Sequence, residues 1–301
     1  MDKINGLIAA PFTPMDEHGE VNFSHIQPYA AWLKRNNLKG VFINGTTGEG
    51  MSLTVSEREK VAEEWKKNSN DLLLFVQVAE NSLKNAKNLA NHAQEIGADA
   101  VATLPPLYYK PGSVKMLVRY CNEIAAAAPE TPFYYYHIPS MSGVNFPMIE
   151  FVELAQKEIP TFSGLKFTSE NLYDFGLCMN YDQNLNMLFG RDEMLLGGLA
   201  TGAKGAIGSF YNFLGHFANK LLADYYFGKM EEADNKQQFI RDLTRIITKN
   251  GNSIATLKTI IRFCAIDCGP TRLPLQKLSE TMEKELKMDL LKIGFFDRIL
   301  K

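Results

Sequence analysis

The chain has 301 residues, 46% hydrophobic and 22% charged, with a formal net charge of -2. That is ordinary globular composition, with enough apolar residues to bury a large core without disulfide staples. The near-neutral balance, with a pI near 6.2 and no long run of like charge, leaves no electrostatic footprint for nucleic acid or an anionic membrane.

Read from its start, the segment MDKINGLIAAPFTPMDEHGE carries Asp2 and a short apolar run broken at Pro11 and Pro14, which is not a signal-peptide pattern. No stretch approaches the ~18 uninterrupted apolar residues of a membrane span. Beyond it, short apolar runs alternate with longer amphipathic ones. The candidate strands are GLIAAPF, GVFING, LLLFVQV, DAVATLP, PFYYYHI, FSGLKFT, NMLFG and KGAIGS. Helical patterns such as SEREKVAEEWKKN, LKNAKNLANHAQEIG and PMIEFVELAQKE lie between them, with apolar residues at three- and four-residue spacing. Ser56 with Glu59 three residues later reads as a capping signal.

Length alone suggests about two domains, yet α/β barrels commonly run to about 200–250 residues as one. Eight strand-like runs separated by helices predict repeated βαβ units and a parallel sheet, and eight is the closing number of a (β/α)8 TIM barrel. The competing architecture, an open doubly wound sheet, is weakened because no G-x-G-x-x-G follows the first strand. From about Tyr225 the alternation stops. KMEEADNKQQFIRDLTRIITKN, SIATLKTIIRFCAIDC and LPLQKLSETMEKELKMDLL read as helices, with Gly251 and CGPTRLP as punctuation. The expected organisation is a catalytic barrel over residues 1–225 and a small C-terminal helical extension over 226–301. Four cysteines (Cys121, Cys178, Cys264 and Cys268) without a paired framework point to a reducing, cytoplasmic setting.

Barrel chemistry sits at the C-terminal ends of the strands, which singles out four segments. In NGTTGEG, Gly45, Gly48 and Gly50 permit close backbone approach, and Thr46 and Thr47 add hydroxyls beside backbone N–H groups, a cradle suited to a carboxylate. Taken alone the segment is equally an ordinary βα turn. In the YYY run, alternation puts Tyr134 and Tyr136 on one face and Tyr135 on the other. Tyr136, nearest the strand end, suits a proton relay, whereas aromatic packing explains it without chemistry. Lys166 lies between Leu165 and Phe167 on a strand that helices cover outside and side chains fill inside, so its amine reaches water only through the barrel mouth. Desolvation lowers an amine's pKa and frees a neutral nucleophile near pH 7, the property of a Schiff-base lysine. The fourth segment, GRDE, brings Asp192 and Glu193. The five histidines show no metal-ligand spacing, and GAKGAIGS lacks a P-loop pattern, so neither a metal nor a cofactor is expected.

In order, GTTGEG…SLTVSERE, PPLYYKP, YYYHIPSMSGV, GLKFTS and GRDE…GAKGAIGSFYN resemble the dihydrodipicolinate synthase and N-acetylneuraminate lyase superfamily over essentially the whole chain, including the tail motif GPTRLPLQK. Within it, FYYYHIP is similar to the animal-type sequences of the lyase branch. The resemblance implies a (β/α)8 barrel, a class I aldolase acting without a metal, a small-molecule substrate and a homotetramer. It implies Lys166 as the Schiff-base residue, Tyr136 as the proton relay, and Thr46 and Thr47 as holders of the pyruvate carboxylate, with Thr47 orienting Tyr136. Thr168, Gly190, Asp192, Glu193 and Ser209 correspond to contacts with the polyol end of a sialic acid. Tyr108 corresponds to a tyrosine that some members supply from a neighbouring subunit, and Tyr109 stands beside it. Members specific for aspartate semialdehyde carry an arginine after the proline turn, where this chain has Ser140, Met141 and Ser142. The implied activity is therefore reversible cleavage of N-acetylneuraminate. A pyruvate-dependent aldolase or synthase for another aldehyde is the alternative, and a non-catalytic sialic acid sensor is a rival of another class. Arg191, inside GRDE, either tunes substrate preference or faces solvent.

Overall fold

Eight short parallel strands close on themselves in the computed structural model, which describes residues 2–69, 71–249, 251 and 253–299. They are β1 (Gly6–Ala9), β2 (Gly40–Ile43), β3 (Leu73–Gln77), β4 (Ala100–Thr103), β5 (Phe133–His137), β6 (Phe162–Phe167), β7 (Asn186–Phe189) and β8 (Gly205–Gly208). Each pairs with its sequence neighbour, and β8 pairs with β1 along Gly6–Ala9, so no edge remains for an open sheet. The helices are α1 (Ile26–Arg35), α2 (Val55–Asn68), α3 (Leu83–Glu95), α4 (Val114–Ala125), α5 (Pro139–Ser142), α6 (Met148–Glu158), α7 (Leu172–Tyr181), α8 (Leu195–Ala200), α9 (Tyr211–Tyr226), α10 (Met230–Lys249), α11 (Ser253–Cys264), α12 (Glu280–Lys292) and α13 (Phe295–Ile299).

Strand alternation divides the core into two layers. Ile8, Phe42, Phe75, Ala102, Tyr134 and Tyr136 fill the lumen. Leu7, Val41, Leu74, Val101, Tyr135, Leu165 and Phe167 face the surrounding helices. Pairing between β5 and β6 shifts register between Phe133 and Tyr134, after which Tyr136 stands directly opposite Lys166. Gly164 makes the close approach of β6 and β7 possible. Its φ is +147°, and a Cβ there would lie 1.9 Å from the Asn186 carbonyl oxygen.

Two local expectations are corrected. Thr54, not Ser56, caps α2: its hydroxyl accepts from Glu57 N (3.2 Å), and the Glu57 carboxylate accepts from Thr54 N (2.8 Å). A capping residue needs extended backbone, which Thr54 has (φ -67°, ψ 159°), whereas Ser56 already lies in the helix. In the tail, the helical pattern of SIATLKTIIRFCAIDC ends at Cys264, where the amides of Ala265 and Ile266 both turn back to the Ile261 carbonyl (2.8 and 3.2 Å). The next helix starts only at Glu280, behind its N-cap Ser279, whose extended backbone (φ -73°, ψ 159°) lets the hydroxyl accept from Met282 N (3.3 Å). The short α13 was not expected. Helix α10 packs along α9 and reaches the turn at Asp192–Met194, which brings the tail to the barrel mouth.

Candidate active site

At the C-terminal ends of the strands a cavity of about 260 Å³ opens. Thr46, Thr47, Tyr136, Lys166, Thr168, Gly190, Asp192, Glu193 and Ser209, all expected from sequence, line it together. Tyr108 does not: it is 79% exposed, stacked edge-on against Tyr109 on the β4–α4 loop.

Lys166 lies on the lumen face of β6 and is buried (4% exposed). Its Nζ sits 4.0 Å from the Phe42 ring centroid and 4.1 Å from that of Tyr136. Among the described residues the amine makes no hydrogen bond or ion pair. Burial lowers its pKa to about 7, with the nearby Asp192 carboxylate acting in the opposite direction. Two aromatic faces stabilise an ammonium less well than water does, so loss of hydration dominates.

Asp192 is the counterpart. Burial pushes its carboxyl up to about 7, opposed by the Phe210 amide, which donates to Oδ2 at 3.0 Å. The buried Tyr211 hydroxyl also favours the charged carboxylate, and among the described residues Oδ1 has no partner within hydrogen-bond geometry. This carboxyl fits because residue 208 is glycine: a Cβ there would lie 1.6 Å from Oδ1. Each charge favours the charged form of the other, but for both groups burial is the larger influence.

The loop after β2 supplies the carboxylate cradle. Asn44 takes a left-handed conformation (φ +58°), and the loop closes on itself through Glu49 N to Thr46 O and Gly50 N to Gly45 O, both 3.1 Å. Among the described residues the amides of Thr46 and Thr47 donate to nothing in the chain, which leaves two N–H groups for a ligand. The threonine hydroxyls divide differently from expectation. The Thr46 hydroxyl lies 3.4 Å from Tyr136 OH, while that of Thr47 bonds Ser209 Oγ at 2.6 Å. Thr46, not Thr47, therefore stands beside Tyr136, because the turn points successive side chains at different strand ends.

Burial raises the Tyr136 phenol above its ordinary value, with the Thr46 hydroxyl opposing. Tyr134, deeper in the lumen, accepts a hydrogen bond from Asn186 Nδ2 (3.1 Å) and closes the floor. His137 faces outward, with its ring centroid 5.0 Å from that of Phe167, and burial depresses its pKa to about 4. On the far side, the buried Thr168 hydroxyl, which also opposes the rise in the Tyr136 pKa, has no partner within hydrogen-bond geometry among the described residues, and only glycine fits at 190, where a Cβ would lie 2.0 Å from it. Arg191 neither stands free nor points away. Its guanidinium pairs with Glu193 (3.3 Å) and with Glu170, joining the loops after β6 and β7.

Sequence reasoning missed the residues that brace this site. Asn212 bonds the Tyr29 hydroxyl and the carbonyls of Ala10 and Ser209, fixing the β8 end. Gln237 of α10, fully buried, accepts from Leu196 N (2.7 Å) and donates to the Asp192 carbonyl (3.3 Å). A polar residue on the buried stripe of α10 was the available signal for Gln237. No cluster of His, Cys, Asp and Glu able to hold a metal occurs among the described residues. None of the helices described is long and apolar enough to cross a membrane.

Comparison with known proteins agrees with this geometry. The profile of the dihydrodipicolinate synthetase family matches residues 3–293. Human N-acetylneuraminate lyase is 44% identical over 299 residues, covering 97% of this chain and 93% of that protein. Among solved structures, N-acetylneuraminate lyase from Aliivibrio salmonicida superposes with a TM-score of 0.95 at 39% identity, covering 98% of each chain. The lyase from Proteus mirabilis gives 0.94 at 34% identity, covering 98% of this chain and all of that one. The chain belongs to the dihydrodipicolinate synthetase family and stands among its N-acetylneuraminate lyases.

Proposed function

We propose that the protein is a class I aldolase that reversibly cleaves N-acetylneuraminate into pyruvate and N-acetylmannosamine, with Lys166 as the Schiff-base amine. The observation that carries this reading is the buried, unpaired Lys166 amine at the C-terminal end of β6, opposite Tyr136 and sharing a cavity with the free amides of Thr46 and Thr47. With a pKa of about 7, a large fraction of Lys166 is neutral at neutral pH and ready to attack the C2 carbonyl of the open-chain sugar acid. Loss of water gives an iminium, which takes up the electron pair released when the C3–C4 bond breaks. The C4 hydroxyl proton leaves at the same time. Burial disfavours a standing phenolate at Tyr136, so the phenol acts as a relay that takes this proton as it passes its own to the substrate carboxylate, which later returns it to C3 of the enamine. The enamine is then protonated at C3, and water hydrolyses the iminium to release pyruvate.

Beyond C4 the cavity offers the Thr168 hydroxyl, the Asp192 and Glu193 carboxyls and the Ser209 hydroxyl, a lining rich in acceptors that suits sugar hydroxyls. Ser140 and Met141 line the place where a second substrate carboxylate would need a cation. Tyr108 and Tyr109, exposed on a single chain, support assembly into a homotetramer in which a neighbour covers this loop. Four free cysteines, three of them buried, support a cytoplasmic setting. We read residues 1–225 and 226–301 as one working unit, since α10 and α11 line the cavity mouth.

Borohydride reduction in the presence of pyruvate is expected to add one reduced pyruvate to Lys166, and an unmodified lysine would sink the Schiff-base assignment. A panel of N-acetylneuraminate, 2-keto-3-deoxygluconate, and aspartate semialdehyde with pyruvate is expected to show turnover chiefly of the first.

A further inference from the structure

Glu49 belongs to the loop that carries the cradle, yet its side chain points away from the cavity and into the C-terminal tail. There its carboxylate pairs with Lys258 Nζ of α11 at 2.7 Å, with side-chain exposures of 0% for Glu49 and 2% for Lys258. Lys258 Nζ also donates to the Pro270 carbonyl (2.7 Å), and the second Glu49 oxygen accepts from Arg272 N (2.9 Å). Glu49 itself is held left-handed at φ +54°, a conformation a non-glycine residue keeps only when its surroundings impose it. Its neighbour Gly50 presses on Asn44 so closely that a Cβ would lie 1.9 Å from the Asn44 carbonyl oxygen. The Glu49 amide, in turn, closes the turn by donating to the Thr46 carbonyl (3.1 Å).

We propose that Glu49 and Lys258 are a positioning pair: the buried ion pair anchors the NGTTGEG loop to the tail so that the amides of Thr46 and Thr47 converge on the pyruvate carboxylate. This rests on the reading of that loop as the carboxylate cradle. An ion pair taken out of water is weak support for stability as such, because dehydration of both charges offsets their attraction. Its better-supported use is to specify one arrangement, here of a loop whose free amides face a ligand. Rotating the turn by a few tenths of an ångström misaligns N–H donors whose bonds to a charged oxygen are the stronger kind. The tail thereby sets pyruvate affinity without touching pyruvate.

The test uses the full chain as Glu49→Gln, Lys258→Met and the double variant, which leaves no unpaired buried charge. Pyruvate is titrated at fixed borohydride, the adduct is read by intact mass, and turnover and thermal unfolding are measured alongside. Loss of one aligned amide bond to the carboxylate is expected to raise half-saturation by pyruvate about tenfold. The kcat at saturating substrate is expected to stay near wild type, a split that general loosening of the fold does not produce. Unchanged half-saturation in a folded variant, with only the unfolding temperature lowered, overturns the proposal. Should every variant fail to fold, hydrogen exchange on the wild type decides it: the reduced pyruvate adduct slows exchange around Lys258 in α11 and not in α3, and no slowing in α11 overturns it. Absence of adduct on the wild type overturns the Schiff-base reading, and the proposal with it.

Discussion

Replacing Lys166 with methionine is expected to abolish turnover and to make the fold more stable. The amine of an unperturbed lysine titrates near 10.5, whereas burial brings Lys166 to about 7. Each pKa step of one is worth about 1.4 kcal/mol, so holding the charged ammonium in this lumen rather than in water costs on the order of 5 kcal/mol. The folded-state pKa lies below the unfolded one, so between about 7 and 10.5 the unfolded chain binds more protons and wild-type stability rises with pH. Below about pH 7 the penalty is present in full. Methionine fills similar volume without charge and removes it. Asp192, deprived of its neighbouring cation, protonates more readily and takes back part of the gain. The expected advantage of Lys166→Met is therefore about 2–5 kcal/mol at pH 6, shrinking steadily toward pH 9. Denaturant unfolding of both proteins across that range measures it. A stability difference that stays constant with pH, or a variant less stable than wild type at pH 6, would refute the reasoning about desolvation.

Three other outcomes follow from the same geometry. Tyr136→Phe, which keeps the ring over Lys166, is expected to lower kcat by about 10²–10⁴ with a small effect on KM, as removal of a proton relay does; a near-normal kcat in steady-state assays would take Tyr136 out of the proton path. Gly190→Ala drives a methyl into the Thr168 hydroxyl, so KM for N-acetylneuraminate should rise about tenfold while pyruvate trapping stays as it is; equal losses in both assays would show that the damage is not confined to the sugar end. In Asp192→Asn the carboxylate that raises the Lys166 pKa is gone, so the pH midpoint of borohydride trapping should move below about 7. A midpoint displaced upward would mean that the two groups do not interact as described.

The sequence by itself determined the strand count, the parallel sheet and which residues of a strand share a face. Apolar runs of four to six residues between amphipathic helices have few solutions, and a side-chain period of two separates Tyr134 and Tyr136 from Tyr135, while the closed barrel shows that the first two face the lumen and the third the outer layer. Motifs in order then carried the site residues, which converge at one end of the barrel except for Tyr108, left exposed on the β4–α4 loop. Tertiary structure alone decided distance and partnership. Alternation says which residues share a face but not which residue of the next strand stands opposite. The register shift between Phe133 and Tyr134 brings Tyr136 level with Lys166. It also took the folded turn to show that Thr46 faces Tyr136 while Thr47 faces Ser209. Most remote from sequence were the supports contributed by the tail: Gln237 on the Asp192 turn and Lys258 on Glu49 act across 45 residues and more than 200 residues of chain. Local pattern carries no trace of such contacts, because side-chain spacing encodes burial within an element and not the distant group that satisfies it.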